Sequence, residues 1–309
     1  MTDILIPGGK DYPALIGDDN LPFENAGVLK TTGFELQAKW SDKLSNGFAY
    51  SVGVALSDDK AEVLSYPSNP TNKIGDGVLY KGYTVGDIWG YETGGILQES
   101  DFDGVGPNGK PLYHGAYFKG GQPYPGYVWY QDLDHDGVIT SGLSTVDDPG
   151  DKKVIGNNAP RYRYNITANF QYKGFDLDLM FQGVGKRDYW LKDVSSYWGG
   201  GAGSWETYNQ SWTPERTDAK FPMYGSGIGS YAQSGYLLDA SYIKLKQVIL
   251  GYTFPKALIG KVGLEKLRLN IAAYNLFTLS DVPKYYDSDY LSDAYPPKRT
   301  FSVGIQVGF

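Results

Sequence analysis

Apolar and polar residues alternate along several stretches of this chain. Phe48, Tyr50, Val52, Val54 and Leu56 share one face, with Ala49, Ser51, Gly53, Ala55 and Ser57 on the other. Tyr162, Tyr164, Ile166, Ala168, Phe170 and Tyr172 alternate with Arg163, Asn165, Thr167, Asn169 and Gln171. Phe175, Leu177, Leu179 and Phe181 alternate with Asp176, Asp178, Met180 and Gln182. At the end, Phe301, Val303, Ile305, Val307 and Phe309 stand opposite Ser302, Gly304, Gln306 and Gly308. A period of two predicts β-strands. Each runs for about ten residues or more; ordinary strands average about five or six, whereas a tilted membrane-crossing strand needs about 9–11. The apolar faces begin and end in aromatics, as Tyr162 to Tyr172 does, which is the girdle pattern of outer-membrane barrels. A water-soluble β-sandwich is the competing reading, because its inner faces also alternate.

The connections favour the barrel. Lys173-Gly174 is a tight turn, and Ser41 to Gly47 is also short. The opposite ends are joined by long segments, about 58–160, 188–240 and 280–298, and short turns on one side with long loops on the other is barrel architecture. If the last strand ends in the periplasm, these three segments are extracellular. Parity then requires zero or two further crossings inside the first of them, and Tyr83 to Leu97 is the natural place for one. Thr32 to Trp40 runs towards the periplasm, which makes 7–31 another outer loop and Asp3 to Ile6 the top of a truncated strand. The predicted fold is all-β: an antiparallel transmembrane β-barrel segment of about 8–10 strands with long extracellular loops.

Composition narrows the function classes. The 309 residues include 27 Tyr, 7 Trp and 41 Gly, which suits wet, aromatic-rich sheets, and no apolar run is long enough for a membrane helix. A net charge of −7 leaves no basic surplus for nucleic acid. The absence of cysteine removes disulfides, thiolate metal sites and thiol nucleophiles. His114 and His135 are the only histidines, neither sits near a nucleophile motif, and no pair of carboxylates is singled out for glycoside hydrolysis. The sequence therefore reads as a non-enzyme. Met1 to Gly9 has neither the charged nor the apolar region of a signal peptide.

Several motifs then fall into a familiar order. They are Thr32-Gly33-Phe34-Glu35-Leu36, Gly86-Asp87-Ile88-Trp89-Gly90-Tyr91 and Tyr130-Gln131-Asp132-Leu133-Asp134-His135-Asp136-Gly137. Ile155-Gly156 with Pro160, Gly174-Phe175-Asp176-Leu177 and Phe181-Gln182-Gly183 follow. Then come Tyr242-Ile243-Lys244-Leu245-Lys246, Gly251-Tyr252-Thr253-Phe254-Pro255, Asn275-Leu276-Phe277-Thr278, and Tyr295-Pro296 through Arg299-Thr300-Phe301. In this order the chain resembles the C-terminal part of the SusC/RagA-type TonB-dependent transporters of Bacteroidetes outer membranes. The resemblance implies a protein roughly three times longer, with a plug domain, a TonB box and a barrel of about 22 strands. On that reading residues 1–309 are a fragment without the plug and the first strands. It further implies import of oligosaccharides or peptides, a SusD-like lipoprotein partner, energisation by TonB-ExbB-ExbD through the missing N-terminal region, and assembly by machinery that reads the terminal Phe309. A secreted or surface carbohydrate-binding module is the alternative.

Three sets of residues are candidates for sites. Asp132, Asp134 and Asp136 occupy positions 1, 3 and 5 of a calcium-type loop with Gly137 at position 6, a spacing that converges hard oxygen ligands. Leu143 stands where a bidentate Glu would complete the pattern, so Asp147, Asp148 or Asp151 would have to supply that oxygen. An Asx turn closing on its own amides is the competing reading. Trp198, Trp205 and Trp212, together with Trp89 and Tyr91, could stack on a sugar or pack against a barrel rim or partner. Phe309 is the candidate assembly signal, or simply an interfacial aromatic.

Overall fold

In this computed structural model, residues 1–7, 23–190, 208–226, 231–282, 286–291 and 297–309 are described. They build an antiparallel sheet of eight strands in simple sequence order. The strands are β1 (Ile4–Pro7), β2 (Phe23–Lys43), β3 (Ala49–Ser65), β4 (Arg161–Tyr172), β5 (Phe175–Lys186), β6 (Tyr242–Thr253), β7 (Lys266–Leu279) and β8 (Thr300–Gly308). Among the described residues, no helix is long and apolar enough to cross a membrane.

The register turns the alternation into two continuous faces. One row across the sheet reads Val54, Ile166, Phe181, Leu245 and Phe277. Another reads Tyr50, Phe170, Leu177, Leu250, Ile271 and Val303. This face is apolar yet open: Ile271 is 56% exposed, Ile305 67% and Val303 80%. In water so large an apolar surface would demand a partner, whereas against lipid it needs none. The opposite face is polar, with rows such as Asn165, Gln182, Lys244 and Thr278. β4, β5 and β6 have 12 residues each. At about 3.3 Å per residue and a tilt near 45°, such strands rise about 28 Å, close to the hydrocarbon thickness.

Aromatics gather at the short-turn end of the apolar face. Phe48 lies 6.1 Å from both Tyr50 and Phe170 and 6.2 Å from Tyr172, and Phe175 lies 4.5 Å from Tyr252. The turn itself is built for a two-residue hairpin. Lys173 and Gly174 have φ of 47° and 87°, the paired left-handed conformations whose twist matches the strands. A Cβ at Gly174 would lie 2.7 Å from the Thr253 carbonyl oxygen. Gly174→Ala is therefore expected to cost about 1–2 kcal/mol, read as a lower urea midpoint for the folded protein.

The chain divides into two compact units. The sheet unit holds Thr32–Asp59, Pro160–Arg187 and Asp239–Phe309, and the loop unit holds Met1–Thr31, Lys60–Ala159 and Asp188–Leu238. In the loop unit short ribbons do the work of long strands. Asp87–Tyr91 pairs with Lys152–Asn157, Thr93–Ile96 with Val128–Tyr130, and Phe102–Val105 with Pro111–Tyr113. Tyr117–Phe118 lies parallel to Val138–Ile139, and Asp188–Trp190 joins Leu237–Asp239.

Two expectations are corrected here. Tyr83 to Leu97 supplies no further crossing: its strands have five and four residues, too few to span a bilayer, and they pair within the loop unit. The stretch 7–31 is not wholly loop, because β2 begins at Phe23 and its first residues pair with β1.

Candidate functional site

The polar face of the sheet unit carries a groove of about 700 Å³. Its lining includes Glu35, Arg163, Asn165, Gln182, Arg187, Tyr242 and Asp289. The period-2 register puts Arg163, Asn165 and Gln182 here, since each alternates with an apolar residue of the opposite face. Arg163 pairs with Asp59 and remains half-exposed. Beside it, Arg161 Nε and Nη2 each lie 2.5 Å from an oxygen of Asp58, which also accepts the Tyr162 amide at 3.1 Å. Such a fork fixes a guanidinium in place.

The groove ends at a cluster that sequence reasoning missed. Lys244 Nζ donates to both oxygens of Asp287, at 2.9 and 2.8 Å, and to Asp289 Oδ2 at 2.8 Å. The Lys244 side chain is 3% exposed. Tyr242 donates its hydroxyl to Asp289 Oδ1, and Arg187 reaches the Asp289 carbonyl at 3.1 Å. Burial pushes the Asp289 carboxyl up, with Arg187 opposing. Burial acts the same way on Asp287, but the Lys244 ammonium together with the Asp289 and Tyr290 backbone amides outweighs it and holds that carboxyl below its usual value. The available signal is a lysine set between Ile243 and Leu245; its partners lie 43 and 45 residues away.

The acidic turn forms as its spacing suggests. Asp132, Asp134 and Asp136 each bring a carboxylate oxygen within 4.8 Å of the others. One oxygen of each closes the loop: Asp132 Oδ2 accepts Gly137 N, Asp134 Oδ1 accepts Asp136 N, and Asp136 Oδ1 accepts Val138 N. His135 and Gly137, with φ of 62° and 85°, supply the reversal. Asp132 Oδ1 is buried without a hydrogen-bond partner. Asp151, fully buried, braces the loop from inside, accepting Leu133 N and Thr140 N at 2.7 Å each. Asp148 accepts Leu143 N. Both are thus engaged by backbone amides, and the three clustered carboxylates are the residues that could hold a hard cation.

The candidate aromatics divide. Tyr91 and Trp212 are each 3% exposed. Tyr91 sits 5.1 to 5.8 Å from the rings of Tyr130, Phe118 and Tyr231. Trp212 donates Nε1 to Gln98 Oε1, and Trp89 donates to the Tyr80 hydroxyl while packing on Val63, Ile74, Tyr80 and Tyr83. In this conformation these three rings hold the loop unit together. Trp198 and Trp205 lie outside the described residues. Phe309, 88% exposed, follows directly on β8.

Burial also leaves a titration signature in the loop unit. The Tyr91 phenol is pushed up to about 12, and burial moves Tyr117, Tyr130 and Tyr236 further in the same direction. A raised phenol contributes stability fully below the unfolded value of 10.0 and loses it as pH rises towards about 12. Tyrosinate absorbance should therefore rise in two steps, the second coinciding with loss of near-UV circular dichroism.

No family model matches the chain. It is 27% identical over 99% of its length to TonB-dependent receptor P3 of Formosa agariphila, and 24% identical over its whole length to receptor P26 of the same organism. TonB-dependent receptor SusC of Bacteroides thetaiotaomicron is 26% identical over 59% of the chain. The homologues of this chain are TonB-dependent receptors. Its fold agrees. The structure of the RagAB peptide importer in an open-open state superposes on all of the chain with a TM-score of 0.70 at 20% identity, and a second RagAB peptide transporter structure with 0.71 at 18%. The chain spans about a third of the length of these proteins, 31% of receptors P3 and P26 and 31% of the first RagAB chain. TonB-dependent receptors are outer-membrane proteins, and the open apolar face of β2 to β8 is the surface such a location requires.

Proposed function

We propose that the chain is the C-terminal wall, residues 1–309, of a SusC-like importer that takes up oligosaccharides or peptides across the outer membrane. The observation that carries this reading is the two-faced sheet, apolar and open on one side and polar and grooved on the other, in a chain that aligns end to end with TonB-dependent receptors. The polar face then lines the passage. The segments 58–160, 188–240 and 280–298 are outer loops, and a SusD-like lipoprotein covers them. Energy comes from TonB-ExbB-ExbD acting on parts of the protein that precede this wall. The work is binding and gated passage, not catalysis.

Deleting the gene that carries this chain should abolish growth on one class of nutrient, defined oligosaccharides or defined oligopeptides, and leave growth on the corresponding monomers intact. Unchanged growth on both classes would overturn the import reading.

The acidic turn is proposed to take a calcium ion on Asp132, Asp134 and Asp136, a reading supported by the unpartnered Asp132 Oδ1. Calcium calorimetry on the intact protein should give heat that Asp136→Ala removes; no heat returns the turn to a self-closed Asx loop. Phe309 is proposed as the assembly signal, so its deletion should lower the amount of protein reaching the outer membrane, and normal assembly would refute that role.

A further inference from the structure

After β7, residues 280–282 and 286–291 lie on the polar face of β6 within the same unit. Ser280 Oγ donates to the Ser241 carbonyl at 2.9 Å, and Val282, Tyr286 and Leu291 are buried. Asp289 N and Tyr290 N both turn back onto Asp287 Oδ1, which aims the two carboxylates at one point. That point is Lys244. Its ammonium has three protons, and the two carboxylates supply three acceptors within 2.9 Å.

We propose that residues 286–291 are a strap closed over the polar face, and that Lys244 is the residue that holds it shut. The proposal rests on the reading of that face as the lining of a passage. An apolar contact of the same size would hold the strap at least as firmly, because a buried ionic cluster adds little over well-packed hydrocarbon. What the ionic cluster adds is sensitivity to a single charge: with one partner gone, the remaining charges are buried without compensation and the closed state is strongly disfavoured. Tyr242 and Arg187 reinforce the closed state through Asp289, and Lys246 stands 4.0 Å from the same carboxylate. Asp289 also lines the groove. Opening the strap therefore withdraws a wall of the groove as well as uncovering β6.

Residues 1–309 contain no cysteine, so the rate at an introduced cysteine is read against the same protein without it. Within the strap, Ser288 is buried at 3% exposure and Tyr290 is open at 70%. In the intact outer-membrane protein, Ser288→Cys should react slowly with a water-soluble maleimide and Tyr290→Cys quickly. Adding Lys244→Met should speed the reaction at position 288 about tenfold or more and leave position 290 unchanged. Rapid labelling of Ser288→Cys with Lys244 present, or an unchanged rate with Lys244→Met, would overturn the strap. If Lys244→Met does not assemble, Asp287→Asn with Asp289→Asn serves in its place, with the same acceleration expected and an unchanged rate equally fatal. Asn165→Cys separates this from the passage reading. Failure of the water-soluble reagent to reach position 165 removes the passage while leaving the strap result standing.

Discussion

Leu179→Arg should abolish accumulation of the protein in the outer membrane, whereas Thr167→Arg should be tolerated. Leu179 lies mid-strand on the apolar face, between Ala168 of β4 and Val248 of β6. A guanidinium there would sit near the bilayer midplane, where it costs about 2–4 kcal/mol on a lipid-facing barrel position. Thr167 is the neighbour of Ala168 in β4 but faces the other way, pairing with Met180 and Gly53 on the polar side. It is exposed, and an arginine there meets water and other polar side chains. A soluble sandwich with its core on the apolar face would also reject Leu179→Arg. The distinction comes from solvent: in detergent micelles the wild-type sheet should stay folded, and after detergent removal without lipid it should precipitate. Quantitative blotting of membrane fractions and heat-modifiable gel mobility read both variants.

Tyr130→Ala should open the loop unit, with an expected cost of about 3–5 kcal/mol for removing a large buried aromatic. Tyr130 is 1% exposed and within 5.1 Å of the Tyr91 ring and 5.5 Å of Phe118. Its hydroxyl accepts Gln233 Nε2 at 3.1 Å, and Gln233 is itself fully buried and hydrogen-bonded to Thr93. The truncation thus removes ring contacts and also leaves an amide donor without its acceptor, joining two penalties in one change. Because Gln233 comes from 188–238 and Thr93 from 60–159, the two long insertions should loosen together. Limited proteolysis should show new cuts in both. Tyr130→Phe keeps the ring and loses only the hydroxyl, so it should cost about 1 kcal/mol and leave the digestion pattern near that of the wild type.

How much of this was legible depends on where each signal lives. β4, β5 and β8 declare themselves because one face meets lipid and the other meets water, which enforces strict alternation over ten or so residues. The Lys173-Gly174 turn is equally plain, since the short spacing leaves only a two-residue hairpin. The outer part of β2 was hidden. Phe23 to Thr31 alternates less cleanly, and its strand character comes from pairing with β1. Tyr83 to Leu97 reads as a crossing because Ile88, Trp89 and Tyr91 within it are apolar or aromatic. Those side chains instead fill a core, and the strand is too short for a bilayer.

Site residues were legible where the chemistry is local. The acidic turn closes within six residues, so its spacing carried its geometry. The Lys244 cluster joins groups more than forty residues apart, and nothing in either stretch points to the other. Tyr91 and Trp212 show the reverse problem. Aromatic residues in a long loop suit ligand stacking and core packing alike, and burial decides for packing in this conformation.

One face of this sheet meets lipid and the other water. Cysteine scanning of β4 tests it most directly, with a nitroxide at each position from Asn165 to Phe170 in the protein reconstituted in bilayers. A period of two is expected: Ile166, Ala168 and Phe170 accessible to dissolved oxygen, and Asn165, Thr167 and Asn169 accessible to a water-soluble nickel chelate. Nickel access at every position, or the opposite phase, would contradict it.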